Sequence, residues 1–166
     1  MRGDTMDREN PTAATLAVPA ALGSLHQVAD FVRGLADRAG LSTEAAYRLR
    51  LAADELATNI VVHGYRGAPG PIRLAGHVDG QEVRLRFEDD APPFDPRRTA
   101  LPPDLDRPLS ERRIGGLGVF LALTSVDCFD YERTDGHNVC TLAVRGAGPG
   151  CLAAPTPHGA TDTTTG

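Results

Sequence analysis

The residues best suited to chemistry in this chain are Glu55 and Asn59, four positions apart in a segment with helical periodicity. Residues at i and i+4 share one face of an α-helix, so this carboxylate and this amide lie side by side. A carboxylate at the edge of a buried face can serve as a general base. An inward-facing amide oxygen can bind Mg²⁺, which prefers oxygen ligands. The pair indicates a base beside a metal ligand, with a solvated helix glutamate as the alternative for Glu55.

A glycine-rich run follows downstream, Gly115-Gly116-Leu117-Gly118, and it opens onto an apolar segment, Val119–Val126, that is typical of a helix start. Backbone N–H groups and the helix dipole favour anionic phosphates at such a position. Arg112 and Arg113 come just before the run, and guanidinium groups suit phosphate oxygens. The run predicts a polyphosphate-binding loop, although a solvated loop remains the alternative for the arginine pair.

Two further features bear on the site. Asp89, Asp90 and Asp95 follow a segment of alternating apolar and polar residues. Acidic residues at a strand end commonly form turns, but a buried carboxylate there can instead accept a hydrogen bond from an adenine amino group. His63, near the end of the helix that carries Glu55, is expected to be a packed structural residue.

The elements that must position these residues follow from the apolar pattern. Ser42 is predicted to cap the helix that carries Glu55, and Asp79-Gly80 and Asp135-Gly136 are predicted hairpin turns. The predicted strands are Thr12–Val18, Ile72–Val78, Glu82–Glu88, Val126–Tyr131 and Asn138–Val144, and the predicted helices are Leu22–Ala39, a second from Ser42 to about His63, and the short glycine-led helix. This order, β-α-α-β-β-loop-α-β-β, predicts an α/β two-layer sandwich, with a mixed, mostly antiparallel sheet and helices on one face.

Composition narrows the class of protein. The formal net charge of −5, with 5% aromatic residues and no Trp, argues against a nucleic-acid binder. No apolar run reaches the roughly 20 residues of a membrane span. The three cysteines form neither a CxxC pair nor a zinc pattern, and the polar Met1–Asn10 lacks a signal-peptide core, so we expect a cytoplasmic protein. We also expect a folded domain over residues 12–145, with disordered ends at 1–11 and 146–166.

Four segments together resemble the GHKL (Bergerat-fold) ATPase superfamily, and most closely its small bacterial branch of anti-sigma-factor serine kinases. Leu51–Tyr65 is similar to the N-box, with E-x-x-x-N and a following His-x-Tyr. Glu88–Pro96 is similar to the D-x-G-x-G region with its trailing F-D-P. Gly115–Leu121 is similar to the G-x-G-L phosphate motif, and Tyr131–Leu142 to the closing hairpin. Within the second segment, Ala91 and Pro93 stand where the motif has glycines.

The resemblance implies a role for each motif residue. Glu55 would be the general base and Asn59 would hold Mg²⁺. Asp89 would bind the adenine amino group, with Thr141 nearby. The remaining nucleotide-binding residues implied by the motifs are Ala91, Phe94, Arg113, Gly115, Gly116, Leu117 and Gly118. Residues from about Arg97 to Ile114 would form a lid whose closure excludes water.

The implied function is an ATP-dependent protein-serine kinase that sequesters a sigma factor and phosphorylates a STAS-domain antagonist on serine. The resemblance leaves the oligomeric state open between a monomer and a homodimer, and no nucleic-acid or membrane partner is expected. The chain is too short for the phosphoacceptor helices of a sensor histidine kinase. One alternative is a nucleotide-responsive or nucleotide-free binding module of the same fold, which Ala91 and Pro93 favour. The other is a metal hydrolase that uses Glu55 and His63, for which the additional zinc ligands are lacking.

Overall fold

A five-stranded sheet forms the base of the structure, a computed structural model that describes residues 13–98 and 117–146. The helices are α1 (Leu25–Ala39), α2 (Thr43–Asn59) and α3 (Leu117–Ser125). The strands are β1 (Ala13–Pro19), β2 (Pro71–Asp79), β3 (Glu82–Asp89), β4 (Cys128–Thr134) and β5 (His137–Arg145). Their order along the chain is the predicted one. Residues 1–11 and 147–166 of the predicted disordered ends lie outside the described residues.

The strands pair in the order β1-β2-β3-β5-β4, and every neighbouring pair is antiparallel. Tight hairpins join β2 to β3 and β4 to β5 at the two predicted turns. The α/β class and the helix-covered sheet are confirmed. The expectation of a mixed sheet is wrong for the described strands, because each connection that brings two of them side by side returns the chain in the opposite direction.

The hydrophobic core lies between the helices and the inner face of the sheet. Its largest fully buried side chains come from both layers and include Leu35, Leu49, Ile72, Leu85, Phe87 and Leu142. Inward-facing residues alternate along β3, and this apolar row ends at Asp89, the last residue of the strand. A carboxylate therefore terminates an otherwise apolar surface. Within the described ranges, no helix is both long and apolar enough to cross a bilayer.

Helix α2 carries Glu55 and Asn59, and different contacts hold its two ends. The Ser42 side chain accepts a hydrogen bond from the Ala45 N–H at 3.2 Å, which confirms the predicted N-cap. At the other end the helix continues into a π-helical turn, Ile60–Tyr65, a feature that often occurs at functional sites. The Tyr65 hydroxyl donates to the Pro71 carbonyl at 2.7 Å and accepts from the Asp90 N–H at 2.9 Å. The turn therefore ties the start of β2 to the end of β3.

Candidate functional site

Asp89 is the most buried carboxylate of the described residues. Its side chain is 3% exposed. Its Oδ1 accepts hydrogen bonds from the Asn138 Nδ2 at 2.8 Å and from the Ala91 N–H at 3.0 Å. Burial raises the pKa of Asp89, and these two hydrogen bonds oppose that rise. None of the hydrogen bonds among residues 13–98 and 117–146 uses its Oδ2, so one carboxylate oxygen is left for a ligand.

Asn138, which sequence reasoning missed, is the partner of Asp89 across the sheet. It lies directly opposite Asp89 on β5 and is 3% exposed. Besides Asp89, its Nδ2 reaches the carbonyls of Ala91 at 3.2 Å and Pro92 at 3.1 Å. Asparagine is uncommon in strands. An Asn on the inner face of a predicted hairpin is the signal that could have identified it.

The side-chain oxygen of Asn138 also accepts three hydrogen bonds. Its Oδ1 accepts from the Phe94 N–H at 3.2 Å, the Tyr131 hydroxyl at 2.8 Å and the Arg133 Nη1 at 2.9 Å. The same Arg133 Nη1 donates to the Ala91 carbonyl at 2.8 Å. Side chains of β4 and β5 therefore hold both ends of the turn that follows β3.

The structure does not bring Thr141 to Asp89. Thr141 pairs with Arg86 on β3 and with Asp130 on β4, and both of these neighbours are exposed. Directly opposed residues of a sheet share a face, so Thr141 lies on the outer face, opposite to Asp89 and Asn138. The resemblance implied that Thr141 lies near Asp89, but the β5 residue beside Asp89 is Asn138, three positions earlier.

Ala91 occupies the position of a motif glycine without backbone strain. Among the described residues, Arg66 and Asp135 are the non-glycine residues with positive φ, and Ala91 is not one of them. Its side chain is 1% exposed and packs against Gly64, where an added Cβ would lie 3.3 Å from the Ala91 Cβ. The absent side chain of Gly64 therefore accommodates the extra methyl group of Ala91.

A narrow cleft, partly open to solvent, lies between the end of α2 and the end of β3. It is lined by Leu56, Asn59, Ile60, Gly64, Asp89, Phe94, Pro96, Asn138 and Cys140. Three residues of the predicted site, Asn59, Asp89 and Phe94, share this cleft. Burial raises the pKa of the Cys140 thiol far above its usual range, so this residue is an unreactive part of the floor.

Asn59 is held by its own helix. The side chain is 8% exposed, and its Nδ2 donates to the Glu55 carbonyl at 2.9 Å. Because the amide nitrogen is anchored in this way, the Oδ1 is directed away from that bond. No hydrogen bond within the described ranges uses this Oδ1. A fixed carbonyl oxygen at a cleft wall is a suitable ligand for a hard cation.

Glu55 lies one turn earlier on α2, half-buried, and its carboxyl group faces the first turn of α3. A Cβ atom added at Gly118 would lie 2.6 Å from the Glu55 Cδ, which is far inside van der Waals contact. The carboxyl group is therefore packed directly against the backbone at Gly118. The structure thus brings the predicted base to the last glycine of the phosphate motif. Arg112, Arg113, Gly115 and Gly116 lie outside the described residues, as does the side chain of Leu117.

Arg97, where the predicted lid begins, is fixed to β4. It forms a bidentate pair with Asp95 and donates to the Tyr131 carbonyl at 3.4 Å. Its guanidinium carbon lies 5.8 Å from the centre of the Tyr131 ring, at cation–π distance. The base of the lid therefore attaches to the tyrosine that bonds Asn138. Residues 99–114 of the lid lie outside the described part of the chain.

Nothing in residues 13–98 and 117–146 favours the metal-hydrolase alternative. No group of three or more His, Cys, Asp or Glu side chains there is close enough to hold a metal ion. His63 is exposed, so the expectation that it is packed is wrong. The π-helical turn rotates His63 away from the apolar stripe of α2, which a continuous α-helix would have placed it on.

Comparison with known proteins agrees with this geometry. The family model of the histidine kinase-like ATPase domain matches residues 18–144, which is most of the chain. The chain belongs to this family. It is 36% identical over 107 residues to the serine/threonine-protein kinase BtrW of Bordetella bronchiseptica, covering 64% of this chain and 75% of that protein. It is 34% identical over 110 residues to the serine-protein kinase RsbW of Listeria innocua, covering 64% and 70%.

A solved structure has the same fold. The RsbU and RsbW domains of Rv1364c from Mycobacterium tuberculosis match with a TM-score of 0.56 and 19% identity. The match covers 81% of this chain and 33% of that longer chain, so this protein spans about a third of it. The likeness shows the Bergerat-type arrangement of sheet and helices.

Membership of the histidine kinase-like ATPase family implies an ATP site, and residues in and beside the cleft fit one. Asp89 offers an unused carboxylate oxygen at a buried position, as an adenine amino group requires. Asn59 offers a carbonyl oxygen that suits Mg²⁺. Gly118 leaves no side chain between the Glu55 carboxyl group and the start of α3. The individual roles of these residues remain predictions.

Proposed function

We propose that this chain is an ATP-dependent protein-serine kinase that binds a sigma factor and phosphorylates a STAS-domain antagonist on serine. One observation carries the proposal: the carboxyl group of Glu55 is packed against Gly118, the start of the helix at which phosphates would bind. The similarity to proteins named serine kinases supports the reaction class. The sigma factor and the STAS partner are parts of the proposal that rest on the resemblance of the motifs.

Four residues in or beside the cleft have a task in this reaction. Asp89 accepts a hydrogen bond from the adenine amino group, and Phe94 contributes apolar surface to the same wall of the cleft. Asn59 would hold Mg²⁺, which neutralises charge on the phosphate oxygens when it is bound. Glu55 accepts the proton of the attacking serine hydroxyl as its oxygen bonds to the γ-phosphorus and the bond to the leaving ADP oxygen breaks.

Substitution of Glu55 tests the proposal. Glu55→Gln removes the proton acceptor but keeps the size of the side chain, so phosphoserine formation on a STAS partner should fall about 10²- to 10⁴-fold. ATP affinity should stay close to that of the unmodified protein. The measurement is phosphopeptide mass spectrometry after incubation with Mg-ATP. Asp54→Asn is the matched control, because Asp54 is the adjacent helix residue and is partly exposed in an ion pair with Arg50.

Absence of phosphoserine with the unmodified protein would contradict the kinase assignment, and equal yields from the unmodified protein and Glu55→Gln would contradict the role of Glu55 as the base. The second candidate, a nucleotide-responsive binding module, is favoured by Pro93, which has no backbone N–H to offer a ligand. Binding of ATP without any phosphoserine on the partner would support that candidate. Loss of activity in Asp54→Asn as well would indicate disruption of α2 rather than loss of a base.

A further inference from the structure

The turn between Asp89 and Phe94 is held in place by side chains of the neighbouring strands. In the motif that this segment resembles, two glycines occur within the turn, and here they are Ala91 and Pro93. In this chain the Asn138 side chain donates to the carbonyl groups of Ala91 and Pro92, and Arg133 donates to the Ala91 carbonyl. Asn138 also receives the Phe94 N–H. One buried amide thus contacts the carboxylate and three backbone groups of the turn.

We infer that Asn138 is a positioning residue that holds Asp89 with only its Oδ2 facing the cleft, and that it thereby selects purine nucleotides with a 6-amino group. This inference rests on the proposed ATP site. Asn138 acts through Asp89, and the two donors on Oδ1 fix the plane of the carboxylate. Rotation of Asp89 would break both hydrogen bonds and leave the Ala91 N–H buried without its partner, which is costly.

Selectivity follows from the hydrogen-bonding properties of an ionised carboxylate. An ionised Asp89 can only accept. Adenine presents an N–H donor at position 6, whereas hypoxanthine and guanine present an oxygen acceptor at that position. Two acceptors facing each other in a buried cleft repel, and neither is satisfied. The discrimination therefore depends on Asp89 staying ionised and correctly oriented, and Asn138 supports both conditions.

Other groups near Asp89 also affect its protonation. The titratable or charged groups that interact electrostatically with Asp89 are Tyr65 in the π-helical turn, Asp90 in the turn after β3, Arg133 on β4 and Cys140 on β5. Arg133 favours the ionised form of Asp89, whereas Asp90 disfavours it. If Asn138 no longer donates to Oδ1, one of the two hydrogen bonds that lower the pKa of Asp89 is lost. The rise in pKa caused by burial is then larger, and Asp89 binds a proton at higher pH. A protonated Asp89 can donate from Oδ2, which suits a 6-oxo purine.

The test compares ATP with inosine triphosphate, which carries a 6-oxo group in place of the 6-amino group and a proton on N1. Asn138→Asp keeps the acceptor for Phe94, Tyr131 and Arg133 but removes the donor to Asp89. Calorimetric titration of the full chain with each Mg-nucleotide should show ATP affinity reduced about 10- to 100-fold. The ratio of ATP to inosine triphosphate affinity should fall at least about 10-fold. The pH below which ATP binding is lost should move upward.

Two further variants complete the experiment. Tyr131→Phe removes one donor to the Asn138 Oδ1 at 2.8 Å without touching Asp89. It should lower the ratio of ATP to inosine triphosphate affinity about 2- to 10-fold. If Asn138→Asp does not fold, Tyr131→Phe still tests whether Asn138 positions Asp89. Glu132→Gln is the control, since Glu132 is the exposed β4 residue between Tyr131 and Arg133. This variant should match the unmodified protein for both nucleotides.

The outcomes separate this inference from the proposed function. Suppose that the unmodified protein binds ATP, but that the folded variants keep the same ratio of ATP to inosine triphosphate affinity and lose ATP binding below the same pH. The positioning role is then overturned and the ATP site stands. Equal loss of both nucleotides in Asn138→Asp assigns Asn138 a purely structural role and also overturns the inference. If the unmodified protein binds no ATP, the proposed site itself fails, and the inference fails with it.

Discussion

Asp89 shows how a single residue can serve ligand binding at the expense of stability. Its carboxylate terminates the apolar row of β3 and is almost fully buried. Burial raises its pKa. Relative to the protonated form, the charged form is therefore less stable in the folded chain than in the unfolded chain. Hydrogen bonds from Asn138 and Ala91 reduce this cost without removing it. A buried acceptor with one unused oxygen is understandable if a ligand supplies the missing donor.

Replacement of Asp89 by asparagine should therefore stabilise the free protein at neutral pH. The folded pKa lies above the unfolded one, so the folded state retains its proton to higher pH, and stability falls as pH rises between the two values. The advantage of Asp89→Asn should be present at pH 7 and shrink as pH falls through the raised pKa. ATP affinity should drop about 10- to 100-fold. Urea unfolding at several pH values and calorimetric titration measure the two effects.

Asp79→Asn is the matched control, because Asp79 is an exposed residue at the end of β2. It should change neither ATP affinity nor the pH dependence of unfolding. An Asp89→Asn variant that is less stable at pH 7 and binds ATP like the unmodified protein would show that Asp89 is a structural residue.

At the scale of elements, the site depends on the close approach of α3 to α2. The Glu55 carboxyl group occupies the space that a side chain at position 118 would need. Arg48, two turns earlier on α2, donates to the Ser125 carbonyl at the end of α3 at 3.0 Å. The two contacts lie at opposite ends of α3, so they fix its position along α2.

Gly118→Ala should disturb this approach. The added methyl group overlaps Glu55, so either the carboxyl group or α3 must move, at a cost of about 1–3 kcal/mol in unfolding free energy. Phosphotransfer should fall at least about 10-fold, because a small displacement of a positioned base is costly. Gly34→Ala is the control: this helical glycine of α1 has nothing within 4 Å. It should gain about 0.5–1 kcal/mol. Equal activity of the two variants would contradict the packing described.

Local patterns predicted the elements better than they predicted the contacts between them. The Ser42 cap, the two hairpin turns and the i, i+4 spacing of Glu55 and Asn59 depend on neighbouring residues, and the fold agrees with them. The pairing of Asn138 with Asp89 depends on the register between β3 and β5, which are separated by a long connection. The motif resemblance named Thr141 instead, and a difference of three residues along β5 places a side chain on the other face of the sheet.

The π-helical turn could not be foreseen either. Periodicity extends α2 to about His63, and a π-helical turn leaves the composition of the segment unchanged. Its position is fixed by tertiary contacts, namely the hydrogen bonds of Tyr65 to the ends of β2 and β3. These contacts also bring Gly64 against Ala91, which explains how alanine replaces a motif glycine in this chain.

For the molecule as a whole, the cleft joins parts of the chain that are far apart in sequence. Its walls come from α2, the π-helical turn, the end of β3, the segment that follows β3, and the first half of β5. A ligand that contacts all of these elements binds the folded chain and not the unfolded one. Bound nucleotide should therefore stabilise the entire domain against unfolding.

Unfolding in the presence of Mg-ATP tests this nucleotide site most directly. At an ATP concentration of about 100 times its Kd, the free energy of unfolding should rise by roughly 2.7 kcal/mol. Chelation of Mg²⁺ should reduce this gain, as should Asn59→Ala, which removes the proposed cation ligand. We expect a clear upward shift of the unfolding transition with Mg-ATP. An unfolding curve that is identical with and without millimolar Mg-ATP would contradict it.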